Sequence, residues 1–132
     1  MNAQFVDALL IAGGIYHAGF VVFHAMFWKF FFWKYELETL STINRGVMQI
    51  LNLCLIFVFL AFAYLSFAHR SDLTATPLGR ALLLIVSIFW LLRAIEQAIF
   101  FGLKKRLSLI LFTFFVAGTL LYFFLFMIGI SG

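Results

Sequence analysis

Four long apolar runs, joined by short polar segments, restrict the fold of this chain more than any other feature. Each run is about 20 residues or longer, which is the length a helix needs to cross the hydrocarbon core of a bilayer. The 132 residues are 66% hydrophobic and 11% charged, whereas an average soluble domain is roughly 45–50% apolar and about 25% charged. The sequence therefore predicts an all-α, integral membrane four-helix bundle that forms one domain over residues 1–132.

Helix-start and turn signals set the expected bounds, which are about residues 5–33, 43–68, 77–101 and 107–130. Ser41 or Thr42 can cap the second helix, and Pro77 suits the first turn of the third because its missing N–H needs no partner there. Gly102 lies in a very short connection between the last two apolar runs. Those two helices are therefore expected to be antiparallel neighbours.

The distribution of Lys and Arg predicts the orientation in the membrane, because cytoplasmic loops are enriched in these residues. The second connection holds only Arg70 and Arg80, and neither end of the chain carries a basic residue. The first and third connections, with the adjoining helix starts, hold Lys29, Lys34, Arg45, Lys104, Lys105 and Arg106. We expect both the N-terminus and the C-terminus on the outer side. The start of the chain carries Asp7 and no Lys or Arg, unlike a secretory signal, and this favours an uncleaved first helix. The tight loops and the lack of a targeting segment favour a bacterial inner membrane.

Composition also excludes several kinds of partner and bond. Cys54 is the only cysteine, so the chain has no internal disulfide. The net charge of +4 comes from basic residues scattered over the helix ends, without the aromatic-interleaved basic patch of a nucleic-acid interface. We therefore expect the protein to contact the lipid bilayer and not to bind nucleic acid.

The segment FWLLRAIEQ, residues 89–97, is the most informative part of the third apolar run because it contains Arg93 and Glu96. An ionised side chain near the middle of a bilayer costs about 2.5–3.5 kcal/mol on insertion scales, so such residues face partners inside a bundle. At 1.5 Å of rise per residue, Arg93 lies about 5 Å and Glu96 about 9 Å to the cytoplasmic side of the midplane. His24 and Asn52 fall roughly 7–12 Å to the same side.

These depths and the helix faces define one candidate layer built from three helices, with the fourth helix as its cover. The candidate ligand-binding residues are His24, Arg45, Gln49, Asn52, Arg93, Glu96 and Gln97. The leading hypothesis is a small multi-pass protein whose polar pocket, near the cytoplasmic leaflet, binds a small molecule or a lipid headgroup. Arg93 would hold an anionic group, Glu96 would orient Arg93 or accept a proton, and His24 would titrate.

Two other classes of function stay open. The polar residues could form a purely structural network in an accessory subunit that packs against a larger membrane protein or against copies of itself. A membrane redox protein could bind haem between His24 and Met48. A metal ion has little support, since His17 and His24 lie about 10.5 Å apart along the helix. No catalytic residue is assigned.

Overall fold

The computed structural model describes residues 2–130, and the side chains of residues 2–128. Over that part of the chain the fold is entirely helical, with no strand. The helices are α1 (Ala3–Ala25), α2 (Phe27–Phe30), α3 (Trp33–Glu36), α4 (Thr42–Ala68), α5 (Arg70–Ala75), α6 (Pro77–Glu96) and α7 (Arg106–Ile130). Four of them, α1, α4, the α6 region and α7, are long and apolar enough to cross a membrane. The predicted four-helix membrane architecture is confirmed to that extent.

The starts of α4 and α6 follow from local capping. The Ser41 hydroxyl accepts the N–H of Asn44 at 3.3 Å, and α4 begins at the next residue after this cap. The Thr76 hydroxyl accepts the N–H of Gly79 at 2.9 Å, while Pro77 occupies the first turn of α6. Both caps pair N–H groups that the first turn of a helix leaves without a partner.

The first long helix is shorter than the apolar run that predicts it. Helix α1 ends at Ala25, and the chain continues through the short helices α2 and α3 to residue 36. Phe32 between them has a φ of 51°, in the left-handed region, which a continuous helix cannot accommodate. Trp33 is buried with its ring edge against Phe27 at 5.5 Å. Aromatic packing thus holds α3 against α2.

A second helix end that differs from the prediction lies at the end of the third span. Helix α6 gives way to a π-helical turn, Gln97–Phe101, and the chain reverses at Gly102, which has a φ of 64°. Glycine takes that backbone conformation without steric cost, so the short connection to α7 can form.

An aromatic layer joins two helix pairs at the centre of the bundle. Helix α1 packs along α4, and α6 packs along α7. The Trp90 ring stacks on Phe59 of α4 at 5.4 Å and on Phe115 of α7 at 5.6 Å, and lies 4.6 Å from Phe20 of α1. We call these four rings the aromatic layer. It separates a terminal end, which carries Asn2 and α5, from a basic end, which carries the connections at residues 26–41 and 102–105.

Candidate functional site

A buried polar network on the terminal side of the aromatic layer connects all four long helices. His17, Ser66, Trp90 and Tyr122 are each at most 2% exposed. The indole N–H of Trp90 donates to Nε2 of His17 at 3.0 Å. The Tyr122 hydroxyl lies 3.0 Å from Nδ1 of His17 and 2.7 Å from the Ser66 hydroxyl. Every member of this network therefore has a partner on another helix.

The direction of the hydrogen bond from Trp90 fixes the protonation state and the tautomer of His17. An indole nitrogen can only donate, so Nε2 of His17 must accept and the ring proton lies on Nδ1. Nδ1 lies 2.9 Å from the carbonyl oxygen of Gly13, which accepts that proton. Both ring nitrogens are thus occupied in a neutral imidazole. This network is closed, and it links α1, α4, α6 and α7.

Close approach of the helices depends on two glycines beside the network. A Cβ at Gly13 would lie 2.4 Å from the Tyr122 hydroxyl oxygen, and one at Gly118 would lie 2.5 Å from the hydroxyl oxygen of Tyr16. Tyr16 donates from that position to the carbonyl of Phe114 at 2.7 Å. Small residues at helix contacts are the usual means of close packing in membranes. They allow α1 and α7 to meet here.

On the basic side of the aromatic layer, His24 and Asn52 are 7% and 3% exposed. Nδ1 of His24 donates to the carbonyl of Phe20 at 3.0 Å, which leaves Nε2 of the neutral ring as an acceptor. The side-chain amide nitrogen of Asn52 donates to the backbone carbonyl of His24 at 3.1 Å. Because a carbonyl can only accept, this contact fixes which way the Asn52 amide points.

The amide oxygen of Asn52 then has no donor. Among the described side chains it is the only buried nitrogen or oxygen atom without a hydrogen-bond partner. Leaving a buried polar atom unpaired costs about 1–3 kcal/mol. The pattern is opposite to that around His17, where every polar group has a partner.

Arg93 and Glu96 form an ion pair in the same half of the bundle, with the guanidinium Nη1 donating to Oε2. Their side chains are 30% and 49% exposed, so the pair reaches the surface between the helices. The guanidinium lies 5.1 Å from the centre of the Phe115 ring. Four predicted residues from three helices, His24, Asn52, Arg93 and Glu96, therefore share this half of the bundle, and we call them the basic-end layer.

Of the other three predicted residues, Gln97 and Gln49 bond elsewhere through their side chains, and Arg45 takes part through its backbone carbonyl. Gln97 is buried and donates to the Ser108 hydroxyl at 2.8 Å, and Ser108 donates to the carbonyl of Gly102. That chain of bonds closes the turn between α6 and α7. Gln49 donates to the backbone carbonyl of Arg45 at 3.2 Å, within α4. Gln97 thus bonds across the turn to α7, and Gln49 bonds within its own helix.

Helix α7 contributes more than the cover that its sequence suggested. Tyr122 and Ser108 are both buried and hydrogen-bonded. The sequence feature that points to this network is Trp90 in the middle of a membrane span, because a buried indole N–H needs a hydrogen-bond acceptor. His17 was visible as a candidate acceptor, but its pairing with Trp90 depends on the rotation of α1 against α6.

Within residues 2–130, no three His, Cys, Asp or Glu side chains lie close enough together to hold a metal ion. Both nitrogens of His17 are already bonded within the protein, so His24 is the histidine of the bundle interior with a ring nitrogen available.

Comparison with known proteins gives no family for this chain. No protein-family description matches it, and neither a curated protein nor a solved structure matches it. The structure itself shows a small helical protein in which four helices are long and apolar enough to cross a membrane.

Proposed function

We propose that the basic-end layer binds a small polar molecule or a lipid headgroup that carries both an anionic group and a hydrogen-bond donor. The observation that carries this proposal is the unpaired amide oxygen of Asn52. A bound donor at hydrogen-bond distance, about 2.7–3.2 Å, would remove the cost of burying that oxygen.

The anionic group is assigned to Arg93. A guanidinium has five N–H donors in a planar fork and binds carboxylate or phosphate groups in pairs of bonds. Glu96 occupies one side of that fork and orients it, which leaves the remaining donors for a ligand. The ion pair is partly exposed, so the remaining guanidinium donors are not enclosed by the protein.

His24 completes the proposed site as an acceptor. Its Nε2 is free to accept a hydrogen bond because Nδ1 donates to Phe20. An aromatic wall surrounds the imidazole, with Phe27 stacked on it at 4.4 Å and Phe59 at 4.9 Å. Such surroundings, largely apolar with a few fixed polar groups, are typical of small-molecule sites.

We propose further that the protein lies in a bacterial inner membrane with both termini outside, so that this site belongs to the cytoplasmic leaflet. The positions of Lys104 and Lys105 at the same end of the bundle support this orientation. In a Cys54→Ala background, an impermeant maleimide added to intact cells should label Ser71→Cys and spare Lys104→Cys. Labelling in the reverse order would contradict the orientation.

Native mass spectrometry of protein released from mild detergent tests the binding function. The wild-type protein should carry a reproducible added mass that is lost in the double variant Arg93→Leu, Glu96→Gln. The matched control, Arg106→Leu with Glu38→Gln, removes the same charges from exposed positions and should retain the mass. A bare wild-type polypeptide, or one that arrives only with another protein chain, would contradict the proposal and favour a structural subunit.

A further inference from the structure

A groove of about 320 Å³ opens at the terminal end, between the end of α4, α5 and the start of α6. Its volume is at the lower end of the range of ligand pockets, about 300–1,000 Å³. Leu65, Leu73 and Leu82 form part of its wall, whereas His69 and Asp72 lie at its polar side. The groove is on the opposite side of the aromatic layer from the basic-end layer and is independent of it.

The position of α5 makes this groove a built feature of the fold. A Cβ at Gly79 would lie 2.1 Å from the carbonyl oxygen of Asp72, so the backbones of α5 and α6 are in direct contact. The Thr76 hydroxyl donates to that same carbonyl at 2.7 Å while it caps α6. At the other side, Arg70 lies 3.6 Å from Asp7 of α1. The helix that forms one wall is thus held at several points.

The floor of the groove lies against the His17 network. Leu65, Leu73 and Leu82 also line a cavity of about 10 Å³ whose wall includes Ser66 and Tyr122. That volume is about the minimum that admits one water molecule. Three leucine side chains therefore separate the groove from the buried hydroxyl groups.

Polarity changes along the groove in a way that fits an amphiphile. Leu65 and Leu82 belong to helices suited to cross a membrane. The His69 and Asp72 side chains lie beyond the end of α4, are 43% and 63% exposed, and bond to each other at 3.0 Å. An apolar chain would pack on the leucines, and a head with hydroxyl groups would donate to the Asp72 carboxylate. A volume near the lower limit suits one acyl chain rather than two.

We propose that this groove binds a single-chain lipid with a hydroxyl-bearing head, of the monoacylglycerol type. The acyl chain occupies the leucine-walled part, and the glycerol hydroxyls bond to Asp72 and His69. The occupant is distinct from the bulk lipid around the bundle because it binds between α4, α5 and α6 and saturates.

The test uses a monoacylglycerol with a diazirine in its acyl chain, added to the full-length protein in phosphatidylcholine vesicles. Light should cross-link the probe to residues 65–82, and unlabelled monoacylglycerol should reduce that labelling in a saturable way. Leu82→Trp, which fills the groove, should reduce it by at least about tenfold, since two or more methylenes lose their contacts. Leu92→Trp, at a lipid-facing position of the same helix that is 53% exposed, should leave it unchanged.

A second variant keeps the test decisive if Leu82→Trp fails to fold. Leu78 lines the groove and is 72% exposed, so Leu78→Trp can narrow the opening without entering the core. It should also reduce labelling. Cross-links spread evenly over the lipid-facing surface would overturn the proposal. So would labelling that is lowered neither by the Trp substitutions in the groove nor by unlabelled monoacylglycerol.

Discussion

The two polar regions on either side of the aromatic layer are made from similar side chains but are completed differently. His17 and its partners are almost fully buried, and each polar group is bonded within the protein. In the basic-end layer, by contrast, a buried oxygen of Asn52 has no partner and the ion pair of Arg93 is partly exposed. A closed network stabilises the fold, whereas an incomplete one is a place where another molecule can bind.

The comparison implies opposite responses to substitution. Changes in the His17 network should lower the free energy of unfolding strongly and leave any ligand untouched in protein that still folds. Changes in the basic-end layer should remove the ligand with little loss of stability.

The largest expected effect is that of Trp90→Ala. This substitution deletes the centre of the aromatic layer and the N–H that binds His17, so the free energy of unfolding should fall by about 3–5 kcal/mol. Reversible unfolding in mixed detergent and SDS micelles measures it.

Trp90→Phe separates the hydrogen bond from the packing. The phenyl ring fills much of the space but leaves Nε2 of His17 unpaired, for an expected loss of about 1–3 kcal/mol. A loss below the error of the measurement would mean that the network does not hold the helices together.

Gly13→Ala is expected to have the next largest effect. The new methyl group would meet the Tyr122 hydroxyl at 2.4 Å and displace it, at a cost of about 1–3 kcal/mol. Gly19→Ala is the matched control on the same helix, because nothing lies within 4 Å of the added Cβ. The control should raise stability by about 0.5–1 kcal/mol. Equal changes in the free energy of unfolding at the two positions would contradict the role of Gly13 in the contact between helices.

Asn52→Leu tests the basic-end layer rather than the His17 network. It removes a hydrogen bond to His24 and also removes the unpaired oxygen, and these opposing terms should leave unfolding within about 1 kcal/mol of wild type. Native mass spectrometry should show loss of the added mass in the same sample. A strong destabilisation with the mass retained would place Asn52 among the structural residues.

The smallest effect on stability is expected for Arg93→Leu with Glu96→Gln. Removing both partners together leaves no unpaired charge, and such a joint replacement of an ion pair is often neutral, so unfolding should hardly change although binding is lost. If unfolding fell by as much as in Trp90→Ala, the ion pair would be a structural element and the contrast between the two regions would disappear.

The helices and part of the candidate site follow from the sequence for simple physical reasons. Apolar runs of membrane length specify the four spans, and the cost of a charge inside a membrane marks Arg93 and Glu96 as groups that need a partner, which each finds in the other. Rise per residue places His24 and Asn52 at a similar level. These arguments use only distance along a helix, which the sequence contains.

Relations between helices were not accessible in the same way. The pairing of Trp90 with His17, and of Tyr122 with Ser66, depends on how each helix is rotated about its axis. The end of α1 at Ala25 depends on aromatic packing of the following turn, which a continuous apolar run does not reveal. The bond of Gln97 to Ser108 was not accessible either, because Ser108 lies on α7 beyond a turn of unusual geometry.

The most direct test of the account is a density map of the protein, purified with its native lipids, around the amide oxygen of Asn52. We expect density larger than a water molecule, with a donor atom about 2.7–3.2 Å from that oxygen and an acidic group at Arg93. A lone water at the oxygen, or a protein side chain turned to donate to it, would show that the basic-end layer is as closed as the His17 network and would contradict a binding site there.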